Sequence, residues 1–409
     1  MLHWSVYDHP LSRDGVHLLW NSRTDQLIRL SDAERQAFLR SETPELTGER
    51  LAQLSRGGFL TDCADEPAEV MRSLMRMRRL LTPHFRILLT TACNARCAYC
   101  YQQDTPVMRM TDETARETAA FIVQQARECQ SQRAMLEWFG GEPTLEARTA
   151  EIICRKLQES GLSYVSSLVT NGLLLDSTFL PLREALCLKH VQITLDGMEG
   201  EHERIKGFPS GSFQRVIRSA EQCLREGLRV TLRLNMAQDA QALVPLLDAL
   251  AERFSPLPDG LSIRLAPLYE PCKEIPAAVM REVLKAQELI RVRGLSRAPL
   301  PGRPHTRMSC FACSPGGFTL RPDGRLLHCS HDLSDASSPG TLSSFRADDP
   351  LRLLFLQNGL HGECRSCPFL PVCGGGCAAA AVLNLPMHRC FALKTVLAEV
   401  LWRRYAEDA

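Results

Sequence analysis

The sequence predicts an α/β fold in which six parallel strands form a partial (β/α)6 TIM barrel. Between residues 85 and 293, short β-rich runs alternate with amphipathic helices, the pattern of a parallel sheet with right-handed crossovers. A small α+β unit over residues 1–66 precedes this region, and a helical linker over 67–84 joins the two. A cysteine-rich domain over residues 310–409 follows, after a linker at 294–309.

Composition excludes several classes of function. The chain has 409 residues, 44% hydrophobic residues and a net charge of +1, so nothing indicates bulk attraction to nucleic acid or membranes. The N-terminus lacks a signal pattern, and no apolar run approaches the roughly 18 residues of a membrane span. We therefore predict a cytoplasmic protein. In a reducing compartment, clustered cysteines indicate metal ligation rather than disulfides.

The N-terminal unit is predicted from strand, turn and capping signals. Gly15–Trp20 and Gln26–Leu30 have strand character around a polar turn. Ser31–Glu34 is a capping box that opens a short helix, and residues 49–60 suggest a second helix, a glycine stop and a final strand. Such a unit resembles the winged-helix-like leader-recognition domains of enzymes that modify ribosomally made peptides. An extension that merely covers the barrel is the alternative.

The barrel elements follow from hydrophobic periodicity. The predicted strands are 85–91, 134–139, 164–170, 189–195, 229–235 and 261–266. The predicted helices are 111–130, 146–160, 176–187, 212–227, 240–254 and 277–293. In such barrels, the loops at the carboxyl ends of the strands carry the site.

The loop after the first strand contains three cysteines, Cys93, Cys97 and Cys100, spaced C-x3-C-x2-C. Three thiolates so close together can hold three corners of one metal cluster. A cubane iron–sulfur cluster normally takes four thiolates, so a site with three leaves one iron open to another ligand, as catalytic zinc sites keep an open position. The alternatives are a zinc knuckle, which needs a fourth ligand nearby, and three buried structural cysteines.

Three further loops at strand ends are marked: Gly140–Pro143, Thr170–Gly172 and Thr194–Gly197. Glycines allow close backbone approach to a ligand, and the Glu142 carboxylate can accept a hydrogen bond from an ammonium. Taken singly, each loop is typical of a turn. In this order, the four loops resemble the radical S-adenosylmethionine (SAM) enzymes, in which a GGE-type loop holds the amino group of SAM. The SAM contacts that the resemblance implies are Tyr99, Gly140, Gly141, Glu142, Thr194, Arg204 and Arg233.

Eight cysteines beyond residue 309 make two complete four-cysteine sites, enough for two iron–sulfur clusters or two zinc ions. Their number alone does not decide how they pair. Their spacing and the Gly374–Gly376 run resemble the SPASM auxiliary-cluster domain attached to many radical SAM enzymes. The resemblance implies one set of Cys310, Cys313, Cys329 and Cys377, and another of Cys364, Cys367, Cys373 and Cys390.

The resemblance implies a maturase that uses a 5′-deoxyadenosyl radical to modify a side chain of a ribosomally made peptide or protein. It implies three [4Fe–4S] clusters, SAM, a peptide substrate and an electron donor such as flavodoxin or ferredoxin. One alternative is an anaerobic sulfatase maturase, but the Asp that serves as base in that family is replaced by Ser330, leaving His331 and Asp332 as candidate bases. The alternative from another class is a non-catalytic zinc or electron-carrier module.

Overall fold

The computed structural model describes all residues except 1, 43–45, 47, 238, 269–273, 298–309, 361, 386–388, 391 and 409. Most of the predicted linker at 294–309 therefore lies outside the described residues. The N-terminal unit has a three-stranded antiparallel sheet in the order β2–β3–β4, and a short β1–β5 pair. Its elements are β1 His3–Trp4, β2 Asp8–Arg13, β3 Val16–Asn21, β4 Gln26–Leu30, α1 Asp32–Leu39, α2 Gly48–Arg56 and β5 Leu60–Thr61.

The predicted capping box is present at the start of α1. The Ser31 hydroxyl accepts a hydrogen bond from the backbone N–H of Glu34, and the Glu34 carboxylate accepts one from the backbone N–H of Ser31. Arg50 on α2 donates to both oxygens of the same carboxylate. Glu34 therefore takes part in the capping box and also links α1 to α2.

All six predicted barrel strands are present and parallel. They are β6 His84–Thr90, β7 Arg133–Gly140, β8 Ser163–Thr170, β9 Leu188–Leu195, β10 Arg229–Met236 and β11 Leu261–Pro267. The helices around them are α3 Glu66–Leu80, α4 Asp112–Glu128, α5 Ala147–Glu159, α6 Glu199–Lys206, α7 Ser212–Arg225, α8 Val244–Arg253 and α9 Ala277–Val292. Among the helices that the structure describes, none has the length and apolarity needed to cross a bilayer.

The helix predicted at 176–187 is wrong. Only Leu175–Ser177 forms a short 3-10 turn there, and irregular turns continue up to β9. Pro181 lies in the middle of this segment, where it removes a backbone donor and clashes with the preceding turn. The apolar residues of the segment, such as Phe179 and Leu186, are still buried in the core, so the periodicity indicated burial but not a regular helix.

The C-terminal domain extends the barrel sheet, which the sequence did not predict. Strand β12, Gly317–Leu320, pairs in parallel with β6, and β13, Leu326–Leu327, follows it at the sheet edge. Its helices are α10 Pro350–Leu356, α11 Leu370–Cys373, α12 Ala378–Val382 and α13 Leu397–Asp408. The domain is therefore continuous with the first barrel strand.

Candidate active site

The cysteine loop leaves β6 and returns to the same strand. The backbone N–H of Thr91 donates to the carbonyl of Met108 at 3.0 Å, and that of Met110 donates to the carbonyl of Leu89 at 3.0 Å. These bonds close the base of the loop, so its cysteines are held at the carboxyl end of β6. This is the position that the sequence predicted.

The three thiols of this loop lie in one electrostatic environment. The pKa of Cys93 is raised to about 11, first by desolvation of the thiol and then by the nearby charges of Glu142, Cys97 and Cys100. Within the described residues, no three Cys, His, Asp or Glu side chains are arranged to hold a single metal ion. The three cysteines therefore share one loop at the rim of the barrel, but their side chains are not arranged there around a single ion.

The two glycines of the Gly140–Pro143 loop approach protein backbone, not a ligand as expected from the sequence. A β-carbon on Gly140 would lie 2.2 Å from the carbonyl oxygen of Thr90, and one on Gly141 would lie 2.3 Å from that of Ala92. The N–H of Gly141 donates to Thr90, and that of Glu142 donates to Ala92, each at 2.8 Å. The glycines therefore let the loop lie directly against the cysteine loop.

Glu142 is almost fully buried at this junction and is heavily hydrogen-bonded. Its Oε1 accepts from the Thr144 N–H at 3.1 Å, and from the hydroxyls of Thr144 and Thr170 at 2.6 Å each. Its Oε2 accepts from the Asn171 N–H at 2.8 Å. Burial raises the pKa of this carboxyl. Because each carboxylate oxygen has about two acceptor sites, Oε2 can still take one donor, such as an ammonium.

A charged network crosses from the cysteine loop to β9, α6 and β10. The Tyr99 hydroxyl donates to the carboxylate of Asp196 at 2.8 Å, and Lys206 Nζ lies 2.9 Å from the same carboxylate. Asn235 donates to Asp196 at 2.7 Å. The backbone N–H of Arg96 also donates to the carbonyl of Lys206. Asp196, Lys206 and Asn235 are therefore site residues that the sequence analysis did not assign.

The remaining predicted SAM contacts lie in different environments. Thr194 and Arg233 are half-buried on β9 and β10 and are in register with each other, whereas Arg204 is exposed on α6. Residues two apart on a helix point in nearly opposite directions, so Lys206 faces the network and Arg204 faces away. A cavity of about 360 Å³ lies beside the network and is lined by residues including Tyr99, Asp196 and Asn235.

The barrel lumen connects the cysteine loop to the C-terminal domain. Arg86 on β6 donates to Glu137 on β7 at 2.6 Å, and to the hydroxyl of Ser330 at 2.8 Å. The ring of Tyr101, next to Cys100, stacks on the ring of His331 with centroids 4.1 Å apart. Arg86 and Ser330 are 244 positions apart, so sequence spacing could not reveal this connection.

The two candidate bases point in different directions. His331 faces Tyr101, and burial lowers its pKa to about 4, aided by the charges of Arg86 and Arg233. Asp332 accepts hydrogen bonds from the Ser334 N–H at 3.0 Å and from the Ser337 hydroxyl. These bonds lower the pKa of Asp332 against the effect of its burial. Asp332 thus closes its own loop, while His331 faces the lumen.

The C-terminal cysteines fall into two neighbourhoods. The charges of Cys310 and Cys377 reach both Cys313 and Cys329. In the second neighbourhood, the pKa of Cys373 is raised to about 11. Burial is the main cause, and the charges of Cys390, Cys364 and Cys367 add to it. We call Cys310, Cys313, Cys329 and Cys377 the barrel-side group. We call Cys364, Cys367, Cys373 and Cys390 the outer group.

Comparison with known proteins identifies the class. Residues 87–237 match the family model of the Radical SAM superfamily. The chain is 26% identical to a serine-type anaerobic sulfatase-maturating enzyme of Klebsiella aerogenes, over 70% of this chain and 77% of that one. It is 27% identical to the PqqA peptide cyclase of Gluconobacter oxydans, over 72% and 85%. Residues 87–237 are therefore a Radical SAM domain.

Other likenesses cover different lengths. The chain matches 41% of the Fe-coproporphyrin III synthase of Methanosarcina barkeri, at 27% identity over 41% of its own length. Among solved structures, anSMEcpe with bound AdoMet has a TM-score of 0.58 at 15% identity, covering 80% of this chain and 98% of that one. SuiB of Streptococcus suis bound to its precursor peptide SuiA has a TM-score of 0.54 at 15% identity, covering 95% and 99%. These two structures show the fold.

A Radical SAM domain implies a [4Fe–4S] cluster and SAM, and the site residues fit both groups. The three thiols of Cys93, Cys97 and Cys100 lie together beside Glu142, and sulfur is the usual ligand of iron clusters. The free acceptor position on Glu142 lies next to that loop and suits the amino group of SAM.

Proposed function

We propose that this protein is a maturase that modifies a side chain of a ribosomally made peptide or protein by oxidation or crosslinking. The observation that carries the proposal is the stacking of Tyr101, on the cysteine loop, against His331, near Cys329. This contact brings the cysteine loop next to the barrel-side group, so a side chain bound beside the two rings lies near both groups of cysteines. The likeness to the PqqA peptide cyclase, and to SuiB bound to a precursor peptide, supports a peptide substrate.

In this proposal, Cys93, Cys97 and Cys100 hold one cluster, and the barrel-side and outer groups hold two more, for three [4Fe–4S] clusters in all. When bound, the first cluster and SAM supply one-electron radical chemistry. Glu142 receives the amino group of SAM. Tyr99 and Thr194 orient the rest of SAM, with Lys206 in place of the exposed Arg204. A small electron-transfer protein such as flavodoxin or ferredoxin is the proposed donor.

The protein itself positions the reactants and accepts a proton. Tyr99, Lys206 and Asn235 hold Asp196 in one orientation beside the cavity. His331 is the proposed proton acceptor because it faces the lumen, whereas Asp332 is occupied within its own loop. Arg86 ties Ser330 to the barrel, which holds His331 over the substrate space.

Residues 1–66 are proposed to recognise a leader segment of the substrate. Strand β4 is at the edge of the three-stranded sheet, and an edge strand can add a further strand from a bound peptide. The fold of two helices against a three-stranded sheet suits such a role. The SuiB structure with its precursor peptide supports a peptide-binding architecture of this overall shape.

The second candidate is an anaerobic sulfatase maturase, and the Klebsiella aerogenes relative favours it. Against it, Ser330 stands where that family has its base, and here the Ser330 hydroxyl accepts from Arg86. Turnover of a sulfatase-derived peptide to formylglycine would favour this candidate over the first.

The proposal is tested by SAM cleavage. Reduced, reconstituted protein is expected to form 5′-deoxyadenosine, and Cys97→Ala is expected to abolish its formation because one of three thiolates is lost. Cys63→Ala, which changes a half-buried cysteine that belongs to none of the three groups, is the matched control. Undiminished product from Cys97→Ala contradicts the proposal. Visible absorption of the anaerobic protein checks for a zinc-loaded module, which has no iron–sulfur bands.

A further inference from the structure

Two arginines lie side by side on the lumen face of the barrel. Arg233 on β10 is in register with Arg264 on β11. Neighbours of Arg233 along the strand, Leu232 and Leu234, are buried in the hydrophobic core. Because side chains alternate along a strand, Arg233 points to the opposite face, and the same alternation applies to Arg264 between Ile263 and Leu265.

Two other cations at this site have acidic partners. Within the described part of the protein, Arg233 and Arg264 do not. Arg86 pairs with Glu137 at 2.6 Å, and Lys206 pairs with Asp196 at 2.9 Å. Among the described residues, neither Arg233 nor Arg264 has an ion-pair partner, and the Nε of Arg233 is buried without a hydrogen bond. An unsatisfied buried donor is unfavourable, and so are like charges on adjacent strands. An anion between the two would relieve both costs.

The groups around Arg233 place the pair beside the cysteine loop. The charge of Arg233 interacts with those of Tyr99, Asp196 and Tyr101, and it also reaches His331. Arg233 is therefore close to the cysteine loop and also to the C-terminal domain. Neither arginine lines the cavity beside Tyr99 and Asp196, so the pair faces a different part of the lumen from that cavity.

We propose that Arg233 and Arg264 bind a carboxylate of the peptide substrate. This inference rests on the proposed function and reassigns Arg233 from SAM to substrate. A guanidinium presents paired N–H donors that match the two oxygens of a carboxylate, and two guanidinium groups side by side favour a full negative charge. The carboxylate is that of an Asp or Glu side chain or of the free C-terminus, and the substrate class is therefore a peptide that presents a carboxylate at this position.

The test uses three radiolabelled tripeptides and equilibrium dialysis with the reconstituted full-length protein. The probes are acetyl-Ala-Glu-Ala-amide, its Gln counterpart, and acetyl-Ala-Ala-Ala with a free carboxylate. Wild-type protein is expected to bind at least one carboxylate peptide about tenfold or more tightly than the Gln peptide. Which of the two binds more tightly identifies the side chain or the C-terminus as the source.

The variants are Arg233→Gln, Arg264→Gln and the double variant, with Arg218→Gln as control, because Arg218 is exposed on α7. The double variant is expected to lose the preference for carboxylate, while Arg218→Gln keeps it. SAM affinity is expected to stay within about twofold of wild type in all four, since the proposed ligand is the substrate. The single variants keep the test usable if the double variant does not fold.

Three outcomes overturn the inference: no carboxylate preference in wild type, an unchanged preference in the double variant, or a loss of about tenfold in SAM affinity in place of peptide affinity. The last outcome would return the pair to the carboxylate of SAM. Formation of 5′-deoxyadenosine is measured on the same samples. Its absence in wild type contradicts the proposed function, whereas its presence without a carboxylate preference contradicts this inference alone.

Discussion

The barrel-side and outer cysteine groups contact different parts of the molecule. The barrel-side group is joined to the lumen, since β12 pairs with β6 and Arg86 reaches Ser330. The outer group lies against the N-terminal unit. There the His9 ring stacks on Phe369 with centroids 4.5 Å apart, and the Ser22 hydroxyl donates to the carbonyl of Pro368 at 2.6 Å.

This difference in surroundings suggests different roles for the two groups, although each consists of four cysteines. A site that takes an electron from a substrate in the lumen must lie close to it, and the barrel-side group does. The outer group instead shares a hydrophobic cluster with the N-terminal unit, in which buried Trp20 packs with Val372, Leu397 and Leu401. We infer that the outer group is coupled to the docking of residues 1–66.

The largest expected effect comes from breaking one cysteine group at a time. Cys329→Ala and Cys373→Ala should each lower iron from about twelve to about eight per chain, because each removes one of four thiolates. Only Cys329→Ala should abolish peptide modification outright while sparing SAM cleavage without substrate. Iron analysis and mass spectrometry of the peptide measure the two effects. Equal loss of modification in both variants would remove the distinction between the groups.

Deleting residues 1–66 should damage the outer group and leave the barrel-side group intact. The deletion uncovers Val372, Leu397 and Leu401, and it removes Tyr7, which packs with Leu370 and Cys364. We expect about four irons to be lost and SAM cleavage to persist. Retention of about twelve irons would show that the outer group does not depend on the N-terminal unit.

Trp20→Ala should weaken the same contact without removing the unit. Because Trp20 is fully buried, the change should lower the free energy of unfolding by about 3–5 kcal/mol. It also removes the hydrogen bond that the indole N–H donates to the Asp25 carboxylate at 3.0 Å, while the ion pair of Asp25 with Arg404 remains. Denaturant unfolding measures the loss. Trp402→Ala on α13, a partly exposed tryptophan, serves as control and should cost clearly less.

Glu137→Gln should give the smallest effect, on the barrel side, and the effect should depend on pH. Despite burial, which opposes it, hydrogen bonds and charges from His84 and Arg86 lower the pKa of Glu137 to about 2. The folded-state pKa is thus below the unfolded value, so the stabilisation is full above about pH 4.5 and disappears as pH falls towards 2. We expect a loss of about 3 kcal/mol at pH 7, shrinking in acid. A pH-independent difference would contradict the ion-pair explanation.

The sequence by itself determined the strands, the cysteine loop and the position of Glu142. These features depend on local patterns: a buried strand has apolar residues in short runs, and the three cysteines of the loop are close in sequence. The class of enzyme followed from the same residues and agrees with the family match over residues 87–237. The helix predicted at 176–187 was wrong because hydrophobic periodicity indicates which residues are buried, not that they form a helix. Pro181 prevents regular helical hydrogen bonding in this segment.

Only the tertiary structure decided which distant side chains meet. Lys206, not Arg204, reaches Asp196 because the rotation of α6 selects one of two nearby cations. The contacts of Arg86 with Ser330 and of Arg233 with Arg264 depend on strand register and on β12 joining the sheet. Strand register is set by how entire elements pack. The residues that it brings together therefore show no sequence pattern that predicts their contact.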